Sequence, residues 1–153
     1  MIENPIQLDA CVRRIRDALD AAGWRGGVVV ALPEECAEDA PLIAQELSLT
    51  AVDIAEGRAA AGADVADLVR SAAQRPCAGT GIVLEGLDTH LASASPAERQ
   101  AVIETVLRLE TPHAVVVAAV FAAGELPKGV RRAVKVELPK AEPRPGLYDI
   151  SLI

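Results

Sequence analysis

Three uninterrupted apolar runs punctuate this chain: Gly27-Val28-Val29-Val30-Ala31-Leu32, Gly81-Ile82-Val83-Leu84, and His113 through Val120. Continuous rather than alternating apolarity marks strands buried on both faces, which is the habit of parallel sheets. The segments between the runs have helical periodicity. Asn4-Pro5 reads as an N-cap with proline at the first helical position. Leu8, Val12, Ile15 and Leu19 then recur at spacings of three and four until Gly23 stops the helix. A short helix from about Pro41 to Leu47 leads to a second strand at 50–54, and a helix over 64–74 follows, with Asp64 as its cap. Ser95-Pro96-Ala97-Glu98 combines a capping box with a first-turn proline ahead of Val102, Ile103, Val106 and Leu107. A fifth strand, 133–138, has half-buried alternation. Strands alternating with helices predict an α/β fold, a three-layer parallel sheet of about five strands with helices on both faces.

The 153 residues suffice for one domain and are too few to expect two. We assign residues 1–140 to a single α/β domain. Residues 141–153 form a linker containing Pro143 and Pro145, followed by a short C-terminal strand or tail, Tyr148 to Ile153. Aromatic residues are only 2% of the chain, so Ala, Val and Leu must pack the core through close approach of helix to sheet. The Ala-rich, Arg-over-Lys usage points to a bacterial source. Three cysteines (Cys11, Cys36, Cys77) without framework spacing favour free thiols in a reducing cytoplasm. The acids and arginines of the first twenty or so residues do not fit a signal peptide, and the longest apolar run falls short of the ~20 residues of a membrane span.

Net charge is −7, unevenly placed: residues 128–153 carry +3 and residues 1–127 carry −10. An acidic body argues against nucleic-acid binding, whereas the basic end suits an acidic protein partner. The Ala-rich helices serve cores and interfaces alike, so self-association is compatible with the pattern.

The turn after the first strand reads Pro33-Glu34-Glu35-Cys36-Ala37-Glu38-Asp39. A phosphate-binding loop at this place needs glycines that let backbone N–H groups point inward, a lysine for the β- and γ-phosphates and a hydroxyl for magnesium. Here the turn holds the four carboxylates of Glu34, Glu35, Glu38 and Asp39. At about 8 Å from a triphosphate, each would repel a phosphate charge by roughly 0.5–2 kcal/mol across effective dielectrics of 80 to 20. Pro41 disfavours a helical Ala40, so the next helix is expected to start after the acidic stretch. The plain reading of these acids is a solvated loop whose last members cap a helix. No metal-ligand spacing is present and no cofactor is implied.

At the end of the third strand stand Glu85, Gly86 and Asp88, where α/β proteins place ligand sites. Acids at such a position are also commonly satisfied by backbone N–H groups. Cys36 has the loop position of a nucleophile, but its carboxylate neighbours would raise its pKa and blunt the thiolate. His90, on a loop, and His113, beside Pro112, have no serine–acid partner or zinc spacing nearby.

Taken in order, the helix before strand one, Leu84-Glu85-Gly86-Leu87-Asp88, the capped helix, Val115-Val116-Val117, and Leu126-Pro127-Lys128-Gly129-Val130-Arg131-Arg132 give residues 5–140 a family likeness. They resemble the nucleotide-binding core of the AAA+ and related P-loop ATPases. The resemblance implies a P-loop NTPase-like fold with Glu85, Gly86 and Asp88 at a degenerate Walker B position and Glu34, Glu35, Glu38 and Asp39 at a degenerate phosphate loop. Gly86 stands where a water-activating glutamate is expected, and Val120 and Phe121 replace a polar sensor. Arg131 and Arg132 fall where arginines reach a neighbouring subunit's nucleotide. The implied function is that of a noncatalytic, pseudo-ATPase interaction or regulatory subunit of a larger bacterial assembly, offering Arg131 and Arg132 to a partner ATPase. The alternatives are a small α/β enzyme using Glu85, Asp88 or Cys36, and a noncanonical nucleotide-binding protein.

Overall fold

The computed structural model describes residues 5–36, 39–54, 65–75 and 79–137. Chain order is α1 (Pro5–Ala21), β1 (Gly26–Ala31), α2 (Ala40–Glu46), β2 (Thr50–Asp53), α3 (Val65–Ala73), β3 (Gly81–Glu85), α4 (Leu87–Ala92), α5 (Pro96–Leu107), β4 (Ala114–Ala119) and β5 (Ala133–Lys135). The strands form one five-stranded sheet in the order β2-β3-β4-β1-β5. Every pairing is parallel.

Strand alternation divides the core in two. Val28 and Val30 of β1, Val83 of β3, Val116 of β4 and Val134 of β5 join α1 and α2 on one face. Val29, Ile82, Leu84, Val115 and Val117 join α3, α4 and α5 on the other. Connections that run toward β2 and connections that run away from it therefore place their helices on opposite faces, as right-handed crossovers require. The carboxyl ends of β1, β4 and β3 become neighbours at the point where the chain's direction of travel reverses, the usual position of a ligand crevice in an open α/β sheet.

With so few aromatics, closeness replaces bulk. A Cβ on Gly27 would collide with the Val106 carbonyl and lie 2.6 Å from its Cγ1, so α5 rests directly on β1. Ser95 fixes the start of α5: its hydroxyl accepts from the Glu98 N–H at 3.2 Å while the Ser95 N–H donates to Glu98 Oε1 at 3.3 Å. His113 Nε2 donates to the Ala73 carbonyl at 3.1 Å, tying the end of α3 to the start of β4.

Several expectations need correction. Ala40 is helical despite Pro41, because a proline in the first turn lacks only an N–H that has no intrahelical acceptor anyway. The stretch expected as a loop after β3 contains α4, and His90 lies within that helix. Strand β4 begins at Ala114 rather than His113 and ends at Ala119, because the Val120 backbone turns to side-chain partners described below. Strand β5 is three residues rather than six, although Val136 remains buried beyond it. Ile54 likewise falls outside β2 but is buried. Asn4, Asp64, Cys77 and the Tyr148–Ile153 strand lie outside the described residues. Among the described residues, no helix is long and apolar enough to cross a membrane.

The Gly27 contact predicts that Gly27→Val lowers unfolding stability by about 3 kcal/mol, since the added atoms meet backbone rather than a yielding side chain. Ser95→Ala should cost about 1 kcal/mol. Urea titration of both variants checks the ranking.

Candidate functional site

The carboxyl end of the sheet gathers three segments that are far apart in sequence. Beyond β1 the chain passes through a 3-10 turn, Glu34–Cys36, in which Glu34 is exposed and Cys36 is fully buried. Asp39 takes the N-cap position of α2 without a side-chain cap hydrogen bond. Asp39, the last of the four acids, is thus at the capping position expected of it, without the side-chain hydrogen bond. The side chain of Glu35 and all of Glu38 lie outside the described residues.

Glu85 ends β3, half-buried and in register with Asp53 of β2. Gly86 follows with φ 80° and occupies the N-cap position of α4, a left-handed conformation that glycine adopts without steric cost. A Cβ there would approach Asp53 Oδ1 to 3.2 Å. Asp88, in the first turn of α4, accepts a hydrogen bond from the Val120 N–H at 3.0 Å.

The residue that organises this end is one for which the sequence pattern assigned no role. Arg99 of α5 donates from Nε to Glu125 Oε2 at 2.8 Å and from Nη2 to Glu125 Oε1 at 2.9 Å, a bidentate pair. The same guanidinium donates to the Leu91 carbonyl at 3.0 Å and the Val120 carbonyl at 2.9 Å. Its carbon lies 5.5 Å from the centroid of the Phe121 ring. Glu125 in turn accepts from the Ala122 N–H at 2.8 Å. Both backbone polar groups of Val120 are thus held by side chains, the N–H by Asp88 and the carbonyl by Arg99. The Arg99 and Glu125 side chains are only 20% and 18% exposed, so their pairing is shielded from water. The hydrogen bond from Arg99 holds the Glu125 carboxyl below its ordinary range, and the same bond raises the Arg99 pKa.

Cys36 shares its core cluster with Cys11, and neither thiol is exposed. Burial, with the neighbouring Cys36 thiol and Asp39 adding to it, pushes the Cys11 thiol up to about 12. The loop nucleophile weighed for Cys36 is corrected by its burial, which closes the approach of a substrate. Among the described residues, no group of three or more His, Cys, Asp or Glu converges as a metal-ion set.

The two arginines before β5 part company. Arg132 turns back onto β1, where its Nη1 donates to the Arg25 carbonyl at 2.8 Å, while Arg131 is exposed. No protein-family model matches the chain, and no curated protein matches it.

Two outcomes follow from the Arg99–Glu125 pair. Arg99→Ala leaves Glu125 and the Val120 carbonyl without their cation and should cost about 2–4 kcal/mol of stability. Because the folded Glu125 pKa lies below its unfolded value of about 4.3, its stabilisation is complete above that pH and is lost as pH falls through the folded value. Urea midpoints measured between neutral and acidic pH should therefore fall less steeply for Glu125→Gln than for the native chain.

Proposed function

We propose that this chain is a noncatalytic, ATPase-like interaction subunit that contributes Arg131 to the nucleotide site of an ATPase partner. The observation that carries the reading is the meeting of β1, β4 and β3 at one end of the sheet. In the AAA+ and related P-loop ATPases that the sequence resembles, the phosphate loop, the polar sensor and the Walker B acids follow those same three strands. Here their chemistry is replaced position by position. Carboxylates follow β1, Val120 and Phe121 follow β4 under the clasp of Asp88 and Arg99, and Gly86 stands beside Glu85.

Each replacement works against phosphoryl transfer. Carboxylates repel a polyphosphate, and glycine has no group to activate water. Asp88 already spends an oxygen lone pair on the Val120 N–H. A clasped Val120 is a fixed scaffold element, useful for presenting a surface.

Arg131 is the better of the two arginines for reaching a neighbour. It is exposed, and it follows Gly129, whose φ of 75° shapes the turn before β5. Arg132 is engaged with the start of β1 and acts as a positioning residue for that turn. A planar guanidinium presented on a turn matches the charge spread over a transferring phosphoryl group. The enzyme reading retains one favourable observation, the register of Asp53 with Glu85, which puts two carboxylates side by side at the strand ends.

In calorimetric titration of the full chain with ATP and magnesium, we expect no saturable binding; a measurable affinity overturns the noncatalytic assignment. In the complex purified from the native host, Arg131→Ala should reduce ATP turnover by about 10³-fold, the lower range for an arginine finger, with this chain's melting temperature unchanged. An unaltered rate removes Arg131 from the partner's site. Turnover of the isolated chain that requires a divalent cation would favour the carboxylate enzyme instead.

A further inference from the structure

We draw no further inference here: the strongest candidate, the groove between α5 and the connection from β4 to β5, with Ile103, Leu107, Leu126, Pro127 and Val130 in its lining, carries nothing because nothing in the structure shows what covers it.

Discussion

The Arg99 guanidinium holds the carboxyl end of the sheet together. It joins α5, the end of α4, the end of β4 and the 3-10 turn after it by four hydrogen bonds, to the Leu91 and Val120 carbonyls and to both oxygens of Glu125. Removing a cation from water is costly, and only geometry of this quality offsets it. The cost explains why the pair acts as a determinant of position: this arrangement of residues 120–125 satisfies the guanidinium, the carboxylate and the Val120 backbone at once. Asp88 completes the clasp from β3's side by taking the Val120 N–H. Strand β4 ends where it does because its next residue is spoken for by two side chains.

Beneath that clasp the sheet is assembled from small residues. Val, Ala and Gly fill the central strands, so helices approach closely enough that Gly27 lies against the Val106 backbone. Dispersion between well-packed small groups accumulates over many contacts, and it replaces the large contribution that aromatic side chains make in other cores. The same economy leaves little to spare at the margin. Strand β5 has three residues, and between β4 and β5 the chain forms no α-helix, leaving a groove with Ile103, Leu107, Leu126, Pro127 and Val130 in its lining beside α5.

Most of this architecture is legible in the sequence because it rests on patterns of strong physical origin. Runs buried on both faces announced β1, β3 and β4, and the Ser95–Glu98 capping box announced α5. Short elements were harder to read. Helix α4 has six residues and a glycine in the N-cap position, so neither periodicity nor a polar cap marks it. Order among the strands is decided by tertiary packing and leaves little local trace. The site was read less well for a related reason. Acidic residues near strand ends are visible in a sequence, but whether a carboxylate faces solvent or, like Asp88, a backbone N–H depends on a residue thirty-two positions away. One signal was available: Arg99 falls on the same helical stripe as the buried Val102, Ile103 and Val106, and a cation on an apolar stripe demands a partner.

The proposed role follows from where charge has been placed. A site that handles polyphosphate needs donors aimed inward and a cation to neutralise the developing charge. In this chain the Arg99 guanidinium at the junction of β3 and β4 is committed to Glu125 and to carbonyl oxygens, and the loop beyond β1 adds negative charge. Releasing Arg99 from this end would unpair a shielded carboxylate and loosen the β4 terminus together. The arrangement thus ties the Arg99 guanidinium to the integrity of the fold. Arg131, exposed on the turn before β5, stays outside that coupling, and under the proposed role it is the cation that can change without disturbing the clasp.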